Sequence, residues 1–398
     1  MNNNNVLGAA QSFLLVAKEN MRKYTMFIML VVIVLGFAVL TGGVNINPRN
    51  FTNIFIQNSY ILVLAVGMVL VIVVGNIDLS VGSVAAFTGA IAAILYNAGF
   101  GIVLTVILTI MSGLVIGAFQ GYWIAYAKIP AFIVTLAGML LFRGLTYIIT
   151  NVTPITPKTD VFKKIASGTV SFNFLKINDV HLLPVILGVI IVFSFVLFSV
   201  SDRRKKIKNN FHLLPVAYFI LELVFISAII MILCFQFARY RGLPIVFVIL
   251  GITIVIFTFI TRNTIFGRYI YAVGGNSRSA KLSGINSERI VFFVHTIMGG
   301  LCGLSGVVFT AYMNSALPKA GELFELEAIA ACFIGGASAS GGIGTIMGAI
   351  MGGLIMGVIN NGMSLMNVGA NWQYVVKALV LLMAVWYDIY TRKKAGMV

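Results

Sequence analysis

Long apolar runs alternate with short polar segments along the whole chain, and the runs are too uniform for the half-buried helices of a soluble domain. A helix rises about 1.5 Å per residue and a bilayer core is about 30 Å thick, so a crossing takes about 20 mostly apolar residues. Twelve runs are candidates: residues 25–41, 59–74, 81–96, 102–127, 131–150, 182–200, 213–237, 245–261, 290–312, 328–334, 343–359 and 374–387. The tenth is too short to span alone, and only a polar break divides the second from the third. The pattern predicts an all-α membrane protein, a polytopic bundle of about 12 transmembrane helices, with broken helices near Gly75–Gly82 and Gly335–Gly342.

Composition agrees, because 60% of the 398 residues are apolar and 10% charged, more hydrophobic surface than a soluble fold could bury. The net charge of +16, from 27 basic and 11 acidic residues, could mark nucleic acid or a membrane face. The basic residues cluster between apolar runs, which points to the lipid bilayer and away from nucleic acid. Three lie in residues 18–23, five in 203–208, five in 262–289 and three in 392–394. Even numbers of runs separate these segments, so all four can share the cytoplasmic side, as the bias of Lys and Arg toward that side requires. The organisation expected is a cytoplasmic N-terminal segment (1–24) and one transmembrane domain (25–398) with both termini inside. Within it lie an outer loop (151–181), a two-helix addition (182–237) without counterpart elsewhere, and a cytoplasmic segment (262–289).

Candidate chemistry is sparse. Cys234, Cys302 and Cys332 sit in apolar stretches without CxxC spacing, and His181, His212 and His295 are scattered, so no metal site is expected and structural roles are assigned to all six. No GxxxxGK[ST] occurs, so the chain is not expected to hydrolyse ATP, and no GxSxG or Ser/His/Asp pattern suggests an enzyme.

The segment Gly75-Asn-Ile-Asp-Leu-Ser-Val-Gly-Ser has an echo in Gly335-Gly-Ala-Ser-Ala-Ser-Gly-Gly. One gap aligns Gly75 with Gly335, Ser80 with Ser340, Gly82 with Gly342 and Gly89 with Gly348. Paired glycine-interrupted segments point to a central binding path, while recurrent small-residue helix packing is the other reading. Asp78, flanked by Asn76 and Ser80, is expensive at membrane depth unless capped, paired or hydrated. It or Ser80 can cap the helix starting near Val81, a role compatible with a place on the path. Arg143 and Lys377 can snorkel, or in the case of Arg143 pair within the bundle; no partner can be named for Glu222.

Residues 264–286 form a longer connection than loops usually make, and should be ordered. Phe266, Tyr269, Ile270 and Val273 follow helical spacing, Gly274 and Gly275 break it, and Ser277–Leu282 can form a second short helix before Gly284. Such an element suits a groove on a soluble partner or the lipid headgroups.

The combination of Gly75-Asn-Ile-Asp-Leu-Ser-Val-Gly-Ser-Val, Gly267-Arg-Tyr-Ile-Tyr-Ala-Val-Gly-Gly-Asn with Lys281-Leu-Ser-Gly-Ile-Asn, and Glu327-Ala-Ile-Ala-Ala-Cys-Phe-Ile-Gly-Gly-Ala-Ser resembles the membrane permeases of bacterial ABC sugar importers. The class is that of ribose, galactose and xylose. Xylose-type and multiple-sugar permeases are the nearest in length and in Asn361-Gly-Met-Ser-Leu-Met followed by Trp372-Gln-Tyr. The resemblance implies a subunit in the bacterial cytoplasmic membrane that moves a monosaccharide inward by alternating access. It also implies a second permease copy, a separate ABC ATPase carrying ATP and Mg, and an extracytoplasmic sugar-binding protein. By resemblance, Asn76, Asp78, Ser80 and Gly82, with Gly335, Gly336, Ser338 and Ser340 by the internal echo, lie beside the translocation path. Likewise Gly267, Arg268, Tyr271, Gly274, Gly275, Asn276, Ala280, Leu282, Gly284 and Ile285 fall where the ATPase couples. Permeases for branched-chain amino acids or nucleosides, and a gradient-driven transporter working alone, are the alternatives.

Overall fold

A computed structural model describes residues 26–170, 176–177, 180–209 and 215–394. The expected basic segment 18–23 and His212 lie outside the described residues. Fifteen α-helices make up most of the described chain: α1 (Met26–Leu40), α2 (Pro48–Val73), α3 (Val81–Asn97), α4 (Ile102–Ala125), α5 (Ala131–Thr150), α6 (Lys164–Ser167), α7 (Leu182–Lys208), α8 (Val216–Ala238), α9 (Ile245–Asn263), α10 (Ile265–Gly275), α11 (Ser277–Leu282), α12 (Ser287–Met313), α13 (Phe324–Ile334), α14 (Ile346–Leu365) and α15 (Ala370–Lys394). Eight of them, α2, α4, α5, α7, α8, α9, α12 and α14, are long and apolar enough to cross a bilayer, and α1, α3 and 370–386 are shorter apolar helices. The protein is an all-α polytopic membrane protein. Its strands are two-residue antiparallel pairs, β1 (Thr169–Val170) with β4 (Leu243–Pro244) and β2 (Lys176–Ile177) with β3 (Val180–His181).

The apolar pattern places the start of α2 eleven residues late, at 59 instead of 48. The missed turns are polar for a reason. Asn47 caps the helix through the Arg49 N–H, Pro48 occupies the first position, and Asn50 exchanges two amide hydrogen bonds with Asn361 of α14, at 2.8 and 2.9 Å. A polar residue that is satisfied by a neighbouring helix carries no apolar signal.

The core lies along α2 and α12. Between half and four-fifths of the spanning windows of α2, α12 and α14 are buried (78, 67 and 67%), against 11% for α7 and none for α8, which pack together at the periphery. Helices in lipid gain little from hydrophobicity and associate by close packing. Gly113 and Gly117 of α4 therefore meet Gly299 of α12 backbone to backbone, and Gly89 of α3 meets Gly306.

The bundle has two distinct ends. At one, Lys128 after α4 and Lys281 of α11 bind Glu288 of α12, at 2.8 and 3.0 Å, and the C-terminus of α10 abuts that of α2. At the other, Asn97 holds the Lys158 N–H at 2.8 Å, Ile155 bridges Ala316, and the Ile245 N–H bonds Gly168 O at 2.9 Å. Loop 151–170 and the segment 262–289 thus occupy opposite ends.

Candidate functional site

α2 ends at Gly75, whose φ of +86° suits glycine, with the Gly75 N–H on Ile72 O and the Asn76 N–H on Val71 O. The chain then crosses the bundle as Asn76–Ser80 before α3 starts. Asp78 is 3% exposed, and its Oδ1 accepts from the Ser80 N–H at 2.8 Å and the Ser80 hydroxyl at 2.6 Å. Asp78 therefore fixes the turn that starts α3. Two residues from other elements close around it. Gln120 of α4 lies 3.0 Å from Ser80 Oγ, His295 Nδ1 of α12 lies 3.8 Å from Asp78 Oδ2, and His295 Nε2 lies 3.3 Å from Asn76 Nδ2. With the Asn76 amide donating, Nε2 accepts and the proton sits on Nδ1, facing the carboxylate. Asn76 also lines a cavity of about 580 Å³ between α4, α5, α11 and α12, shared with Lys128, Ser277 and Arg278. The buried cluster thus reaches an open chamber at the α10 end.

The second break, between α13 and α14, has the same kind of entry. The Gly336 N–H bonds Phe333 O, the Ala337 N–H bonds Cys332 O, and Gly336 has φ +79°. Gly336 is thus the counterpart of Gly75, and Gly335, at φ −69°, is not. At the far side, Ser80 precedes α3 as Thr345 precedes α14, so the one-gap alignment of Ser80 with Ser340 and Gly89 with Gly348 is out of helical register. The second break is four residues longer, and the extra chain closes on itself. The Ser338 N–H bonds Ile343 O, and the hydroxyls of Ser338 and Ser340 lie 2.9 Å apart. Gly335 packs against Gly348 of α14 and Gly336 against the Met26 side chain, while Ser338 and Ser340 lie in the turn that leads to Gly341 and Gly342 on α10.

Both breaks are clamped to α10. A side chain at Gly274 would strike Val73 O, Gly341 lies on Gly274 O and the Cα of Gly75, and Gly342 both lies on Gly275 and donates its N–H to Val73 O at 2.8 Å. Tyr271 donates to Gly344 O at 2.7 Å, and burial pushes its phenol above the usual range against a smaller opposing pull from Arg262, so the donor proton is retained. Gly267 turns α9 into α10 against the carbonyls of Ile260 and Thr261. Phe266, Ile270 and Val273 face the core, while Arg268 and Tyr269 face out; the helical spacing that grouped Tyr269 with the inner face is one position too wide. Asn276 caps α11 through the Ser279 N–H at 2.9 Å, Ala280 is buried, and Gly284 ends the helix at φ +83° with the Ile285 N–H on Ala280 O. Leu282 is 86% exposed at this end, beside a second cavity of about 490 Å³ lined by Tyr126, Lys281, Gly284 and Ile285.

Arg143 pairs within the bundle, with Glu322 at 3.3 Å, and Lys377 pairs with Glu327 at 2.5 Å in place of snorkelling. His295 and Gln120 carry no sequence signal for their place beside Asp78, since each is one polar residue in an apolar run, and His295 is 219 residues from Asn76.

A family model described as branched-chain amino acid transport system / permease component matches residues 50–385. The chain belongs to this permease family. The permease is 39% identical over 376 residues to the xylose transport system permease protein XylH of Haemophilus influenzae, covering 94% of this chain and 98% of that one. It is 38% identical to XylH of Escherichia coli K12, covering 94% of each chain. With the ribose import permease protein RbsC of Haemophilus influenzae it shares 35% over 349 residues, 87% of this chain and 86% of that one. No solved structure matches. The resemblance to ABC permeases of the ribose and xylose class holds over nearly the whole chain, and these relatives are transport permeases rather than enzymes.

Proposed function

We propose that this permease is the membrane subunit of an ATP-binding-cassette importer that carries a monosaccharide, xylose, galactose or a similar sugar, into the bacterial cytoplasm by alternating access. In this reading the α10 end faces the cytoplasm together with both termini. About 12 helices cross or enter the membrane, ten forming the core and α7 and α8 added at its edge. A second copy completes the pathway, a separate ATPase binds ATP and Mg against α10 and α11, and an extracytoplasmic binding protein delivers the sugar to the end carrying loop 151–181.

The observation that carries the reading is the glycine junction at Val73, Gly274 and Gly342, because it joins the surface helices α10 and α11 to the ends of both broken helices. A push on α10 is then a push on Asn76–Ser80 and on the second break. Exposed Leu282 beside an open cavity supports α11 as the contact for a soluble partner. The printed names of the relatives support the sugar, whereas the family description favours a second reading, a branched-chain amino acid as cargo. A Leu282→Cys permease co-purified with its paired ATPase should form a cross-link with a short bismaleimide that ATP weakens or shifts. Cross-linking at Leu40→Cys, at the opposite end, but none at Leu282→Cys would contradict the assignment.

A further inference from the structure

The starts of α3 and α13 meet inside the bundle. Gly82, the second residue of α3, packs against the carbonyl of Gly321, and a β-carbon there would lie 2.6 Å from Glu325 Oε2. Glu325 sits in the first turn of α13, is 8% exposed, and its Oε2 has no hydrogen-bond partner. From α5, the Arg143 guanidinium reaches Glu322 Oε1 at 3.3 Å and Ser83 Oγ at 3.4 Å. Both bonds are long, and they engage two of the five guanidinium donors.

The depth of this group is unusual. Arg143 is about 18 Å along α5 from Ala131 and about 10 Å from Thr150, at 1.5 Å per residue. An ion pair in that zone is costly against lipid and belongs on a wetted surface or a protein contact. Yet the Glu322 side chain is 55% exposed and that of Arg143 21%. A half-open ion pair, a buried carboxylate oxygen without a donor and two helix starts, joined through Gly82 and Ser83, form a surface with spare hydrogen-bonding capacity of both signs.

We propose that Arg143, Glu322, Ser83 and Glu325 form a binding site for the hydroxyl groups of an uncharged sugar on its way through the membrane. Arg143 and Glu322 neutralise each other, so what the site offers is donors and acceptors side by side, the combination that vicinal hydroxyls match. An amino acid would have to place its own carboxylate on a guanidinium already faced by acidic side chains. The inference rests on the proposed importer reading and specifies where that importer touches its cargo.

The test uses the whole complex, permease with its ATPase and binding protein, in proteoliposomes. Uptake of a labelled pentose and its monodeoxy analogues is measured at saturating loaded binding protein. Arg143→Gln and Glu322→Gln should slow the parent pentose at least about tenfold, about 1.4 kcal/mol of transition-state stabilisation. They should slow the analogue lacking the contacted hydroxyl by less than about twofold beyond its already lower rate. Ser83→Ala, nearly isosteric, should shift the same ratio in the same direction without the risk of misfolding. Equal slowing of every analogue, or full rescue by the exchanged pair Arg143→Glu with Glu322→Arg, would overturn the site and leave a structural ion pair. Failure of the unsubstituted complex to take up xylose, galactose or any other monosaccharide with ATP would instead overturn the importer reading, and the site with it.

Discussion

Asp78 shows how one residue can be both costly and necessary. A carboxylate that is 3% exposed is tolerated because a backbone N–H and a hydroxyl donate to it and His295 faces its second oxygen. Removing it leaves the Ser80 N–H and hydroxyl without their acceptor where α3 begins. Asp78→Ala should therefore lower stability by about 1–3 kcal/mol, read as an earlier thermal transition in detergent. Asp78→Asn, which keeps an acceptor at Oδ1, should lose clearly less. Equal transitions for both variants would mean that the helix start does not depend on this acceptor. The presence of Asp78 in a polar break was legible in the sequence because a charge interrupts an apolar run. Its partners were not, since Gln120 and His295 look like isolated exceptions until the fold brings α4 and α12 to α3.

At the scale of elements, the two breaks were legible as glycine-rich interruptions, but their correspondence was not. Sequence similarity matched Gly75 with Gly335, whereas the helix endings match Gly75 with Gly336, because the position that needs positive φ is fixed by the last turn of the helix. The start of α2 and the end of α14 were blurred for a related reason, as paired asparagines hide inside the helices that they join. α10 and α11 were legible from helical periodicity and glycine breaks, and their attachment to both breaks appears only in three dimensions. Two glycines of this region should respond differently to substitution. Gly274→Val has no room beside Val73 O and should reduce the yield of folded permease, measured by fluorescence-detected size exclusion. Gly284→Trp faces open space at an exposed turn but costs about 1–2 kcal/mol at φ +83°, so the protein should fold with a slightly earlier thermal transition while ATP hydrolysis by the complex no longer drives uptake. Normal coupled transport by a well-folded Gly284→Trp complex would remove α11 from the coupling surface.

For the whole molecule, hydropathy and composition made the membrane class plain. What composition could not convey is that burial is concentrated on α2, α12 and α14, or that α7 and α8 stand at the edge. Helix packing by glycine backbones leaves no distinctive apolar pattern, so the order of neighbours is set by contacts such as Gly113 with Gly299 that no period reveals. The same bundle holds a buried polar cluster around Asp78, and the sequence has no nucleotide motif, so in the proposed reading the driving force comes from a separate chain. The most direct measurement is accumulation of labelled xylose in sealed vesicles containing the permease alone, or with its ATPase, ATP and binding protein. The account predicts accumulation with all components present and none by the permease alone under a sodium or proton gradient; gradient-driven accumulation by the isolated permease would contradict it.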